Sequence, residues 1–217
     1  GLELIKKKTG KEAYAFTMPL VLDANGNKFG KSEGNALWLD KNKTSSYELY
    51  QYLINSDDKL VESYLKIFTF LNPAEIMEIV ENHNECPEKK IAQKTLAYEF
   101  IKDLHGEEEA KKAIRISEAL FSGNIKNLSL DELQEAFKNV PNFEIKEEAN
   151  IIDFLVQSSV ASSKREAREF VSAGSISING DKVTDADFIV KKEIALYQKA
   201  IVVRRGKKKY YIGLFES

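Results

Sequence analysis

The sequence is poor in cysteine, histidine, proline and tryptophan. Of its 217 residues, one is Cys, two are His, four are Pro and one is Trp. With Cys86 alone, no disulfide can form within the chain, and a reducing, cytoplasmic setting is the simplest expectation. Cys86 stands before Pro87 with no histidine beside it by motif, so it reads as an inert residue at a helix boundary. His83 and His105 each fall near the end of a helical pattern, and neither has a second ligand at metal-binding spacing. Cations favour helix C-termini, so both read as end caps, and no metal site is expected. Long apolar runs are also missing. Nothing approaches the ~20 residues needed to cross a bilayer, and the first residues are amphipathic and lysine-rich, unlike a secretory signal. The chain opens on Gly1 without an initiator methionine, which fits a fragment. An excess of one charge is absent too: 32 Lys and Arg face 34 Asp and Glu, a net charge of −2, so bulk charge gives no hint of nucleic acid.

What is present describes an ordinary globular protein, 43% hydrophobic and 30% charged, long enough for one large or two small domains. The first residues read as a helix fragment, a hairpin and a lysine-rich loop. Tyr14 to Met18 runs into Pro19-Leu20-Val21-Leu22, and Asn25-Gly26 is a turn signal. A lone hairpin is marginal in water and must pack on something else. Lys28-Phe29-Gly30-Lys31-Ser32 follows, with Gly34 beyond it. Two ammonium groups three residues apart on a glycine-rich loop suit a polyanion, because each is a compact charge and glycine lets the backbone approach and reshape. On residue types alone the stretch reads first as a solvated hairpin turn and second as a phosphate site.

From about Thr44 to Val140 the period is helical, about five helices joined by short loops. Ser45 with Glu48, and Ser129 with Glu132, form capping-box pairs, and Asn72-Pro73-Ala74-Glu75 is a helix start. Apolar faces are expected at Leu60, Tyr64, Ile67 and Phe68, then at Ile76, Ile79 and Val80. Pro141 to Asn150, acidic and polar, reads as a linker. Beyond it the texture changes to α+β. Ser163-Lys164-Arg165-Glu166 is a capping box, and Gly174 a helix stop. Ile176-Ser177-Ile178, the turn Asn179-Gly180, and Lys182-Val183 spell a hairpin. Ile201 to Val203, a turn at Gly206, and Tyr210 to Ile212 close the pattern as strands.

Charge is local rather than global. Lys199 to Tyr211 holds six cations (Lys199, Arg204, Arg205, Lys207, Lys208, Lys209) and no acid. Aromatic and aliphatic residues interleave with them, which favours a polyanion-binding surface over a solubilising tail. Lys164, Arg165 and Arg168 share one helical face. Such a face suits a phosphate backbone, or equally a solvated surface.

Lys28 to Ser32 resembles the K-M-S-K-S signature of class I aminoacyl-tRNA synthetases, in the K-F-G-K-S form of bacterial-type tyrosyl-tRNA synthetases. Ala36 to Asp40, Ile54 to Asp58, Phe68 to Leu71, Ile116 to Gly123, Ser163 to Arg168 and Arg204 to Tyr211 are similar to stretches of the same family, in the same order. The last unit resembles the small RNA-binding domain named after ribosomal protein S-four. The resemblance implies a multi-domain α and α+β protein. Residues 1–40 would be a remnant of the catalytic domain with its K-M-S-K-S-type loop. Residues 41–146 would be a helical anticodon-binding domain, and 147–217 the S-four-type domain, with 150–217 expected to fold autonomously. It further implies the C-terminal portion of a tyrosine–tRNA ligase, which joins tyrosine and ATP to an adenylate and passes tyrosine to its tRNA. Lys28, Lys31 and Ser32 would serve catalysis. Lys28, Gly30 and Lys31 would meet ATP, accompanied by magnesium in the intact enzyme. Lys164, Arg165, Arg168, Arg204, Arg205, Lys207, Lys208 and Lys209 would hold tyrosine tRNA. The family's other signature, H-I-G-H, is absent, so ATP and tyrosine would bind only with the missing catalytic half. The intact family is homodimeric through that half, so this portion is expected to be monomeric, with no membrane partner. The alternatives are a non-catalytic RNA-binding module of the S-four type and a regulatory paralogue.

Overall fold

A computed structural model describes residues 1–22, 26, 28, 31–32, 35–206 and 209–215, with 31–32 and 35–36 described through their backbone. The first helix, α1 (Leu2–Thr9), ends on Gly10 in the left-handed conformation and buries nothing. Residues 11–20 form no strand. The expected hairpin appears, among the described residues, as one isolated bridge, Leu22 to Lys28. The reason is packing. Tyr14, Phe16, Met18 and Leu20 are 90, 91, 74 and 65% exposed, so no sheet face is buried to repay ordering them. Two short strands follow, β1 (Lys31–Ser32) and β2 (Asn35–Ala36), paired antiparallel with Lys31 opposite Ala36.

Six α-helices fill the next stretch: α2 (Ser46–Ile54), α3 (Asp58–Phe68), α4 (Pro73–Glu85), α5 (Ile91–His105), α6 (Glu107–Ser122) and α7 (Leu130–Ala136). Their starts follow the local chemistry. Ser45, Asn72 and Ser129 each close a reciprocal capping box, with Glu48, Glu75 and Glu132 respectively. Helix α5 lies at the centre, with Ala92, Leu96, Ala97 and Ile101 wholly buried, and packs against α2, α3, α4 and α6. In α3 the expected face holds at Tyr64, which is buried, and at Leu60 and Phe68, which pack partly buried on the same cluster, but not at Ile67. Val61 and Leu65 are buried with Tyr64 while Ile67 is half exposed, so the stripe against α5 runs through Val61, Tyr64, Leu65 and Phe68. His83 does not act as an end cap. It is 2% exposed, and its Nε2 lies 3.2 Å from Asp58 Oδ1, an oxygen that also accepts Gln93 Nε2 at 2.5 Å.

The terminal unit comprises β3 (Asn142–Ile145), β4 (Ala149–Asn150), α8 (Ile151–Gln157), α9 (Lys164–Ser172), β5 (Ile176–Ile178), β6 (Asp181–Val183), β7 (Ile189–Val190), β8 (Ala200–Arg205) and β9 (Lys209–Phe215). Its main sheet runs β3-β9-β8-β5-β6, with β3 parallel to β9 and the other pairs antiparallel. Thus the segment read as a linker holds two strands. Phe143 and Ile145 lie over Gly213, where a Cβ would approach their side chains to 2.6 and 2.7 Å. The alternation of Phe143, Glu144 and Ile145 was the available signal, masked by the acidic composition around it.

Both faces of this sheet are covered. Ile201 and Val203 point to α8 and α9, into a core with Phe154, Leu155, Ala167 and Val171. Val202 points the other way, into a cluster with Ile116, Ile125, Leu128, Leu133 and Phe137 of the helical region, joined by Tyr210 and Ile212. The helical and terminal units therefore share a core. Burial pushes the Tyr47 phenol up to about 12, with the charge of Tyr210 adding to it. Tyr210 Oη donates to Leu120 O at 3.0 Å and Tyr197 Oη to Leu128 O at 2.7 Å. At the edge of the contact the Asn179-Gly180 turn sits backbone to backbone on Gly123.

Candidate functional site

The lysine loop is anchored at both ends. On the entry side, Tyr64 Oη of α3 donates to Leu22 O at 2.7 Å, fixing the bridge opposite Lys28. Lys28 is exposed. Lys31 and Ser32 form β1, and Gly30 lies outside the described residues.

On the exit side a chain of polar contacts ties residues 38–46 to the helices. His105 Nε2 lies 2.9 Å from Leu39 O, and a carbonyl only accepts, so Nε2 carries a proton. His105 Nδ1 faces Ser46 Oγ at 2.9 Å, and Ser46 Oγ lies 2.9 Å from Glu109 Oε2. Lys41 Nζ closes the chain on Glu109 Oε1 at 2.7 Å. Burial raises the Glu109 carboxyl, but hydrogen bonds from Lys41 and Ser46 outweigh it and hold the group below the usual carboxylate range. A depressed folded value means that this stabilisation is present above the ordinary glutamate range, near ~4.3, and fades as pH falls through the folded value. Trp38 N donates to Thr44 Oγ1 at 2.9 Å, and Lys43 Nζ stands 4.0 Å over the Trp38 ring. Replacing His105 by Ala is expected to release Leu39 while leaving the α5 core packed. Amide exchange at Asn42 to Thr44 should quicken about tenfold, the equivalent of one hydrogen bond of ~1.4 kcal/mol. Unchanged exchange there would show that the loop is held without His105.

The basic residues divide into distinct groups. Ser163 caps α9 by accepting Glu166 N at 3.3 Å. The expected reciprocal half goes elsewhere, because Glu166 Oε2 accepts Ser162 N at 2.5 Å and Ser162 Oγ at 2.6 Å. Those two bonds, then the charge of Arg205, hold the Glu166 carboxyl below the usual range. Lys164 Nζ meets Asp153 at 2.6 Å with 61% of its side chain exposed, and Arg165 Nε meets Glu169 at 3.2 Å with 90% exposed. Such exposed pairs are weak and readily exchanged for a ligand's phosphate. Arg168 lines the same outer surface beside Arg165.

Arg205 differs. Its guanidinium donates to Val160 O and lies 5.2 Å from the Phe170 ring and 5.8 Å from the Tyr211 ring. That arrangement locks β8 against α9. Arg204, on the alternate face, approaches Gly123 at the junction with the helices. Lys209 is exposed opposite Arg205, and Lys207 and Lys208 lie outside the described residues. The structure thus brings Lys164, Arg165 and Arg168 together on α9, places Arg205 behind them, and turns Arg204 toward the helical region. Sequence reading missed the Ser46–His105–Glu109 chain. Its members lie 59 and 63 positions apart, and no local pattern links them.

Residues 1–122 match the family described as tRNA synthetases class I (W and Y), and residues 132–213 match the tyrosine–tRNA ligase SYY-like C-terminal domain. The chain belongs to the class I tRNA synthetases of the W and Y group. It is 48% identical to the tyrosine–tRNA ligase of Streptococcus uberis over 214 residues, 98% of this chain and 51% of that protein. It is also 48% identical to that of Streptococcus agalactiae serotype Ia over 218 residues, 100% of this chain and 52% of that protein. The chain therefore spans about half the length of the curated relatives it matches. A solution structure of a tyrosyl-tRNA synthetase C-terminal domain is 39% identical, covers 45% of this chain and 100% of its own, and superposes with a TM-score of 0.38. In this synthetase-family chain the K-F-G-K-S stretch falls within the first matched segment and α9 within the second. No helix among the described residues is long and apolar enough to cross a membrane.

Proposed function

We propose that the chain is the C-terminal portion of a cytoplasmic tyrosine–tRNA ligase, supplying the phosphate-facing lysine loop and the tRNA-holding surfaces. The observation that carries this reading is the order of two consecutive family matches on one chain, with Lys28 to Ser32 inside the first. Lys28 and Lys31 neutralise the charge that grows on the phosphates as the tyrosine carboxylate attacks the α-phosphate of ATP and pyrophosphate leaves, while Gly30 and Ser32 shape the loop. Lysines that close on the ligand only near the transition state raise the rate without much tighter ATP binding. The contacts at Leu22 and Leu39, on either side of the motif, support this role by tying the stretch that carries it to α3 and α5. Magnesium would arrive with ATP. Among the described residues no group of three His, Cys, Asp or Glu stands together to hold a metal ion.

Residues 41–146 and the terminal unit then hold tyrosine tRNA. Of the cations expected to hold tRNA, Lys164, Arg165, Arg168 and Lys209 are exposed among the described residues, and about four phosphate contacts give a log–log salt slope on the order of −3 to −4. In a salt titration of tyrosine tRNA binding, Arg165→Ala with Arg168→Ala should weaken affinity and make the slope shallower by roughly one per lost contact. Arg205→Ala should instead lower thermal stability, on the order of 2 kcal/mol, because its stacking and carbonyl contact are internal. A flat salt dependence would sink the RNA-binding assignment. A non-catalytic RNA-binding module would show the same titration but leaves Lys28 to Ser32 without a role.

A further inference from the structure

A shallow cavity of about 370 Å³ opens between α9 and the β6–β7 loop. Arg165 and Arg168 stand on its α9 side, Thr184 and Ala186 on its loop side, and Val171, 1% exposed, lies against it. We propose that it receives a single unpaired RNA nucleotide, with the base in the cavity and the phosphate between the two guanidiniums. This rests on the RNA-binding reading above and adds which part of an RNA is held.

Three features favour a nucleotide over a bare anion or a continuous duplex. The exposed Ala186 methyl, with buried Val171 beneath the cavity floor, offers an apolar surface for the flat face of a base, which a phosphate cannot use. Glu169 also lines the cavity. Its Oε1 accepts Arg165, which leaves its second oxygen for a base N–H but repels an anion placed deep inside. Ser172, which also lines the cavity, donates its Oγ hydrogen to Glu169 O at 3.1 Å, so its hydroxyl oxygen remains an acceptor. Charge is also one-sided. The loop bears exposed Asp185 and Asp187 beside Ala186, opposite the arginines. A duplex laid across the cavity would bring one phosphate strand against those acids, whereas one splayed nucleotide meets only the basic side.

The test uses this chain and two RNA hairpins at low salt that differ by one nucleotide, the partner of a single stem base. One carries a bulged 2-aminopurine in its stem, and in the other that base is paired. The bulged hairpin is expected to bind at least about tenfold more tightly, and its 2-aminopurine emission should change on binding. Ala186→Trp and Thr184→Trp, which fill the cavity from exposed positions, should remove this advantage and leave the paired hairpin's affinity unchanged. Arg168→Ala should weaken both. Equal binding of the two hairpins, or filled variants that keep the preference, would overturn the cavity assignment while RNA binding stands. Failure of both hairpins to bind would overturn the RNA-binding reading itself.

Discussion

Residues 1–217 are expected to give no ATP–pyrophosphate exchange with tyrosine, whatever the enzyme concentration that solubility allows. The chain carries the lysine loop, but its two histidines, His83 and His105, stand in no H-I-G-H motif. The structure commits them elsewhere, His83 to Asp58 and His105 to Leu39 and Ser46. A loop that stabilises departing pyrophosphate has nothing to act on unless adenine and tyrosine are held beside it. In an intact ligase containing this sequence, Lys31→Ala should lower the exchange rate about 10²- to 10³-fold with little change in tyrosine binding. That is the scale for removing one preorganised donor at a developing charge. Turnover by residues 1–217 alone would refute the portion reading. An intact Lys31→Ala enzyme with an unaltered rate would remove Lys31 from the mechanism and leave the loop a structural turn.

The second large effect is expected at Gly180. Its φ is +92°, and a Cβ there would stand 2.0 Å from Gly123 O and 3.2 Å from Gly123 C, both backbone atoms that cannot swing aside. Gly180→Ala therefore strains its own backbone by ~1–2 kcal/mol and forces the β5–β6 turn off the end of α6. A total loss of about 3 kcal/mol corresponds to a fall in melting temperature of roughly 6–12 °C for a chain of this size. Gly206→Ala is the matched control. It also has positive φ, +65°, but nothing lies within 4 Å of its added Cβ, so it should lose only the backbone part. Equal losses at the two positions would show that the contact with Gly123 contributes nothing to holding the units together.

Gly180 also shows why the terminal unit is not bounded at residue 150. The expectation of an autonomous 150–217 treats the sheet as one-sided, packed only on α8 and α9. The structure gives it a parallel edge strand from 142–145 and a second buried face through Val202, Tyr210 and Ile212. A segment from 141 onward should accordingly melt higher than one from 150, because the shorter piece loses β3 and uncovers Gly213.

Local chemistry was legible wherever neighbours in sequence satisfy each other. Ser45 with Glu48, Asn72 with Glu75, and Ser129 with Glu132 became reciprocal caps, since a helix start needs only its own first turn. Asn179-Gly180 became the hairpin turn because both residues tolerate positive φ, 51° and 92°. Ser163 with Glu166 has the same spelling and became only half a box, for the preceding Ser162 offered Glu166 two shorter bonds. The lysine motif, too, was visible as residue types, and the sequence alone pointed to the family.

The sequence by itself determined the capped helix starts at Ser45, Asn72 and Ser129, the strand alternation of 201–203 and 210–212, the grouping of Lys164, Arg165 and Arg168 on one face, and the signature Lys28 to Ser32. All of these depend on contacts or periods within a few residues. Only the tertiary structure decided that Arg205 is an internal clamp, that His105 reaches Leu39, that 142–145 belongs to the sheet, and that Gly123 meets Gly180. Each of those joins positions between 35 and 70 residues apart, where burial and shape choose the partner and no local propensity records the choice.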